Sequence, residues 1–300
     1  MDTPRIVPCL WFDDQAETAA AFYVAAFPDG RLGPTARYPT SGPNPTGKPP
    51  GSVLTVDFTI AGQPFTALNG GAAFTINPSI SFFVYLPTEQ EVDDLYHALH
   101  EGGQALMPLD AYAWSARYAW VMDRFGVTWQ VMHSPGVERA TIAPSLMFTG
   151  PQHGCARAAI DAYVGTFPRS SVEHLEPYAA GEGPEGTIKY ASLTLAGQPF
   201  AAMDSDYDHG FTFDEGVSLQ VMCGDQDEID HYWRALSTGG EEGPCGWLKD
   251  RFGVSWQVVP EAISEWMTHP DAEARDRAFE AMLGMRKLDI AELRRALAAA

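Results

Sequence analysis

Positive charge is scarce in this chain: 19 Lys and Arg stand against 39 Asp and Glu, a net charge of −20 over 300 residues. That excess repels phosphate backbones and anionic lipid headgroups, so neither nucleic acid nor a membrane is an expected partner. Long apolar runs are also missing. Nothing approaches the ~18 residues needed to span a bilayer, and no charged segment leads into an apolar one after Met1, which makes a cytoplasmic protein the expectation. The four cysteines, Cys9, Cys155, Cys223 and Cys245, never fall at CxxC spacing. That argues against a disulfide framework and against a thiolate zinc site, and predicts free thiols. Cys245, between Pro244 and Gly246, sits in a turn that suggests exposure, yet no His or Lys adjoins it to lower its pKa. There is no P-loop, no HExxH, no Ser-His-Asp order and no GxGxxG after a strand. No cofactor is expected.

What is present is a repeat. Asp123-Arg124-Phe125-Gly126-Val127-Thr128-Trp129-Gln130-Val131 recurs as Asp250-Arg251-Phe252-Gly253-Val254-Ser255-Trp256-Gln257-Val258, identical at eight of nine positions. A match that dense, with Trp and Phe in it, marks two copies of one unit of roughly 130 residues. The first copy runs 1–135 and the second 140–262, and 270–300 follows as an amphipathic C-terminal helix with Phe279, Leu283, Ile290, Leu293 and Leu297 on one face. Ile6–Phe12 reads as a strand and Ala16–Phe27 as a helix capped by Asp13 or Asp14. A strand near 31–38, a Pro/Gly-rich loop over 40–51, and a hairpin turning at Ala61-Gly62-Gln63 complete a βαβββ unit. Ser79–Leu86 opens a second such unit, with a capping box at Thr88–Glu91 and a helix bearing Val92, Leu95 and Leu99. In the second copy, Ala196-Gly197-Gln198 repeats the hairpin and Asp225–Glu228 takes the place of the capping box.

The copies differ where Gly102-Gly103 and Gly239-Gly240 lie 137 apart but Asp123 and Asp250 only 127 apart, so the first carries ten extra residues. Those residues include Trp114, with Arg117 and Tyr118 beside them, an aromatic and guanidinium set suited to a planar or anionic small molecule. Gln130 and Gln257 could orient a ligand from the last strand of each copy, whereas Trp129 and Trp256, of opposite parity, should pack in the core. Asp204–Asp208 with Glu215 mimics a calcium loop, but His209 replaces its glycine and a strand leads in, which favours a solvated hairpin. His97, His100 and Glu101 lie on the polar side of a helix.

Paired βαβββ units ending in Asp-x-x-Gly-x-x-x-Glu/Gln-hydrophobic resemble the vicinal oxygen chelate superfamily of glyoxalases, extradiol dioxygenases and bleomycin-resistance proteins. Leu10-Trp11-Phe12-Asp13, Ala67-Leu68-Asn69-Gly70-Gly71 and Gly243-Pro244-Cys245-Gly246-Trp247 resemble its 3-demethylubiquinone-9 3-methyltransferase-like subgroup. The resemblance implies an α+β fold of tandem domains, each of two βαβββ modules forming a cup-shaped mixed sheet. Metal-using members place His or Glu on the first, fourth, fifth and eighth strands. The first-strand place falls at Pro8 and Pro144, the fifth at Ser79 and Gly216, and the last at Gln130 and Gln257, so no metal is expected. The candidate ligand residues are Asn69, Trp114, Arg117, Tyr118, Gln130 and Gln257. The expected function is binding or sequestration of a small aromatic or amphipathic molecule, with a homodimer as a possible assembly. The alternative is a glyoxalase- or dioxygenase-like lyase or oxidoreductase with a non-standard metal site, or a methyltransferase.

Overall fold

A computed structural model describes residues 5–41 and 46–299; residues 42–45, the middle of the Pro/Gly-rich loop, lie outside it with the two termini. The chain runs through four modules. The first is β1 (Ile6–Phe12), α1 (Ala16–Ala26), β2 (Arg31–Arg37), β3 (Val53–Ile60) and β4 (Gln63–Asn69). The second is β5 (Ile80–Leu86), α2 (Glu89–His100), β6 (Gln104–Tyr112), β7 (Ser115–Met122) and β8 (Thr128–His133). The third is β9 (Thr141–Phe148), α3 (Ala156–Thr166), β10 (Ser171–Pro177), β11 (Ile188–Leu195) and β12 (Gln198–Asp204). The fourth is β13 (Val217–Cys223), α4 (Gln226–Ser237), β14 (Glu241–Glu242), β15 (Trp247–Lys249) and β16 (Ser255–Pro260), and α5 (Ile263–Met267), α6 (Ala272–Leu283) and α7 (Ile290–Ala298) close the chain. Among the described residues no helix is long and apolar enough to cross a membrane.

These strands form two eight-stranded mixed sheets, the α+β architecture expected of the repeat, but each sheet takes one module from each copy. Sheet A joins the first and fourth modules through antiparallel β1 and β13, from Ile6↔Val221 to Leu10↔Val217; sheet B joins the second and third through β5 and β9. The expectation that each copy closes its own cup is therefore corrected. The reason is local. Leu86 pairs with His133 and Tyr85 with Thr141, so the end of β8 and the start of β9 flank the same end of β5. The seven residues between β8 and β9 need only bridge two strand spacings, roughly 10 Å. With those modules joined, the fourth is left to pair with the first.

The repeated nonapeptide supports this scaffold from within. Asp250 Oδ1 accepts from the backbone N–H of Phe252 (2.8 Å) and Val254 (3.1 Å), and Oδ2 accepts from Trp256 Nε1 (2.8 Å) and the Tyr163 hydroxyl of α3 (2.6 Å). Asp123 makes the same bonds to Phe125, Val127 and Trp129. Both tryptophans are fully buried, as their strand parity requires. The two Ala-Gly-Gln hairpins turn through left-handed residues at Ala61-Gly62 and Ala196-Gly197, the geometry of a two-residue hairpin. Their glutamines meet at the centre: Gln198 brackets the backbone of Ile6 and donates to Gln63 Oε1.

Two local expectations need correction. Neither Asp13 nor Asp14 caps α1; Gln15 is the N-cap and its side chain makes no capping bond, while Asn69 Oδ1 receives the Ala16 N–H from across the turn. The C-terminal segment is two helices instead of one, because the chain breaks at Gly284 and restarts where Asp289 caps α7. The apolar face holds in both, with Phe279, Ile290 and Leu293 buried. The capping box at Thr88 and Glu91 forms, and Asp225 caps α4.

Candidate functional site

A cavity of about 890 Å³ lies on the concave face of sheet A. Strand alternation decides what reaches it: from β1 it is Val7, Cys9 and Trp11 that line the cavity, while Ile6, Leu10 and Phe12 belong to the core. Trp11, Phe74 and Trp247 form an aromatic wall, with ring centroids 4.9 Å and 5.9 Å from Trp11, and the Trp11 indole donates to the Gly71 carbonyl (2.7 Å). A Cβ at Gly70 would meet the Trp11 ring at 2.2 Å, so glycine there is what lets the indole seat. Met267 of α5 and Phe279, Met282 and Leu283 of α6 line the cavity opposite the sheet. Thr40 and Ser41 tie α6 to the chain after β2 through Asp276.

A chain of hydrogen bonds crosses the floor. Ser264 of α5 donates to Asp57 Oδ2 (2.6 Å), and Thr66 lies between Asp57 Oδ1 (2.9 Å) and Gln220 Oε1 (3.1 Å). Gln220 Nε2 donates to Gln257 Oε1 (3.2 Å), and Gln257 Nε2 to Ser218 Oγ (2.9 Å). Burial raises the Asp57 carboxyl above the ordinary carboxylate range, against the two hydroxyls that stabilise its charge. Burial also pushes the Cys9 thiol up to about 12, although Gln257 and Ser218 hydrogen-bond with it.

Of the expected metal positions in sheet A, Gln257 lines the cavity, whereas Pro8 and Gly216 do not. Pro8 has the parity of the core-facing residues, so Cys9 is the β1 residue in the cup; Gly216 precedes β13, which presents Ser218 and Gln220. With Thr66 and Gln257 these supply one protonated thiol, hydroxyls and amides, a donor set that does not fit a divalent transition ion. Among the described residues no group of three or more His, Cys, Asp or Glu could hold one.

Sheet B carries most of the sequence-predicted site, and its concave face is packed with its own side chains. The ten extra residues lengthen the β6–β7 hairpin, and Tyr112 and Trp114 stack at 5.0 Å with their edges toward Tyr118. The Tyr118 hydroxyl donates to Gln130 Oε1 (2.7 Å) and Gln130 Nε2 donates to Ser81 (2.9 Å), so Gln130 is engaged at both ends. Arg117 has the opposite strand parity from Tyr118 and pairs with Asp93 of α2 on the helix side. Asn69 is buried, holding Ala16 N and the Val53 carbonyl. Of the six candidates only Gln257 lines the sheet A cavity.

The other singled-out residues fall into structural roles. Asp204 matches Asn69 and accepts from the backbone of Gly154, Ala156 and Ile188, while Glu215 pairs with Lys249. Cys245 is half-buried at the cavity rim, and burial pushes its thiol up to about 11. His97 bonds to the Asp93 carbonyl on an exposed helix face. Sequence reasoning missed Asp57, Thr66, Ser218, Gln220 and Ser264. Asp57 was the visible signal, a single acid inside the strand Val53-Leu54-Thr55-Val56-Asp57-Phe58-Thr59-Ile60.

The repeat acts as an internal control on that floor. Asp57 pairs with Thr66 and Gln220 with Gln257 in sheet A; the matching pairs in sheet B are Ser192 with Ala201 and Phe83 with Gln130. Sheet B keeps the counterparts of Gln257 and Ser218 in Gln130 and Ser81 but lacks those of Asp57, Thr66 and Gln220, so the acid and these two neighbours are a property of the sheet A cup.

A profile of the family described as 3-demethylubiquinone-9 3-methyltransferase matches residues 4–132 and again 140–259. The chain belongs to that family, twice over. Among solved structures, a Bacillus cereus PhnB protein described as a candidate 3-demethylubiquinone-9 3-methyltransferase is 34% identical, covering 44% of this chain and 100% of its own, with TM-score 0.40. Protein PA1353 from Pseudomonas aeruginosa is 26% identical over 44% of this chain and 99% of its own, TM-score 0.38. Glyoxalase I from Zea mays covers 85% of this chain and 91% of its own at 11% identity and TM-score 0.52, a likeness of fold. No curated protein matches.

Proposed function

We propose that this member binds or sequesters a small amphipathic molecule in the cavity over sheet A, without requiring a divalent ion. The carrying observation is the cavity itself: aromatic and aliphatic walls around a floor of donors and acceptors, the make-up of a ligand site. Thermal shift and calorimetric titration with a panel of aromatic amphiphiles, in excess chelator, test it. Trp247→Ala is expected to weaken binding about tenfold, the loss of roughly 1.4 kcal/mol of aromatic contact, and Trp114→Ala to leave it unchanged. Stoichiometric metal in protein purified without chelator, together with turnover, would overturn the reading in favour of catalysis.

The second reading is an enzyme of the glyoxalase- or dioxygenase-like kind, or a methyltransferase as the family's name says. One observation favours it: Asp57, a buried carboxyl of raised pKa at the base of the cavity, could take a proton from a bound ligand. Methyl transfer would further need a donor site, and the chain has no glycine-rich βα turn of the dinucleotide-binding type.

A further inference from the structure

We infer that the cavity over sheet A selects ligands carrying a positive charge, an amine on an aromatic or aliphatic body, with Asp57 as the counter-ion. This deepens the binding function proposed above and rests on it. Asp57 sits in the middle of β3, lines the cavity, and has only neutral side chains bonded to it: the hydroxyls of Thr66 and Ser264. A carboxylate offers about four acceptor positions, so a further donor can still bind. Among the described residues no Lys, Arg or His pairs with it, and only the Ser264 and Thr66 hydroxyls offset the burial that raises it. A carboxylate held in apolar surroundings by neutral partners is costly, and an ammonium group entering the cavity relieves that cost.

Three further observations point the same way. Among the other charged residues lining the cavity, Glu241 and Glu261 outnumber Arg31, Glu242 accepts from the Trp233 indole of α4, and Glu215 and Lys249 neutralise each other at 2.9 Å. An anionic ligand would meet net repulsion from these residues and again at the floor. The wall of Trp11, Phe74 and Trp247 offers ring faces that attract cations as well as apolar groups. Finally, the matching place in sheet B is Ser192, so the acid is dispensable to the scaffold and specific to the open cup.

The test uses three probes with one ring system: 2-naphthylmethylamine, 2-naphthylmethanol and 2-naphthoate, titrated into the full chain at pH 7.5 with chelator, read by calorimetry. The amine is expected to bind at least about tenfold tighter than the alcohol, and the naphthoate weakest, as a charge pair in a partly desolvated site requires. Asp57→Asn should remove the amine's advantage and bring it down to the affinity of the alcohol. Asp57→Ser, which copies the other sheet's residue, serves should the amide fail to fold, and Asp57→Glu should retain part of the preference. An amine advantage that survives Asp57→Asn or Asp57→Ser, or equal affinities for all three probes, overturns the inference while the alcohol's affinity keeps the binding function standing. If none of the three binds, both fall together.

Discussion

Replacing Asp250 by alanine should cost this protein about 4 kcal/mol of folding stability. The carboxylate receives four hydrogen bonds, two from the turn at Phe252 and Val254 and two from Trp256 and Tyr163. Trp256 and Tyr163 are 0% and 2% exposed, so their donors cannot turn to water once the acceptor is gone. A buried donor left without a partner costs about 1–3 kcal/mol, which puts the pair at roughly 2–6 kcal/mol, and the Val254 amide is buried as well. Against this, removing a desolvated carboxylate returns some free energy, since burial raises its pKa despite all four bonds. The balance is a large part of the ~5–15 kcal/mol that holds a domain together, and lowers Tm by about 10 °C. Asp250→Asn keeps one acceptor but turns an amide toward two donors, and should lose about half as much. Urea unfolding followed by far-UV circular dichroism at pH 7 measures both. In a cycle with Trp256→Phe, a coupling near 2 kcal/mol is expected for a bond to a charged group. A loss below about 1 kcal/mol for Asp250→Ala would refute the view that the nonapeptide is a structural clamp.

Burial pushes Asp123 up to about 6, against an ordinary aspartate value of ~3.9, so its folded form prefers the proton. Its favourable contribution is complete below the unfolded value and is lost as pH rises through the folded one, about 3 kcal/mol in all. The stability difference between the parent chain and Asp123→Asn should therefore narrow by that order from pH 4 to pH 7 in urea titrations; a constant difference would refute the assignment. At pH 8 the Cys245 thiol, pushed up to about 11, should react with a disulfide reagent more than about a hundredfold slower than a free cysteine, and at the ordinary rate in denaturant. Fast native labelling of that residue, located by peptide mass, would count against the burial described for it.

Much of the fold could be read before any coordinates, because its signals are local. The duplicated nonapeptide, the Ala-Gly turns and the capping box each depend on residues a few positions apart, and all appear as expected. The core role of Trp129 and Trp256 followed from parity alone. The site was less legible. By composition the insertion suits a planar or anionic ligand; in the fold its hairpin stacks Tyr112 and Trp114 against the buried Tyr118 and leaves Trp114 exposed, away from the cavity over sheet A. The cup whose matching hairpin is shortest, β14 and β15, is the one that holds the cavity. Asn69, a candidate ligand residue, closes β4 and supplies the cap that Asp13 and Asp14 do not.

By itself the sequence determined the duplication, the element order within each module, the acidic surface and the family, all properties carried by composition or by short spacings. The tertiary structure decided which modules share a sheet, because strand pairing across more than 200 residues, Ile6 with Val221, depends on the reach of one short connection. It also decided the site. Asp57, Thr66, Gln220, Gln257 and Ser264 come from both copies and from α5, and only the exchange of modules brings them to one floor.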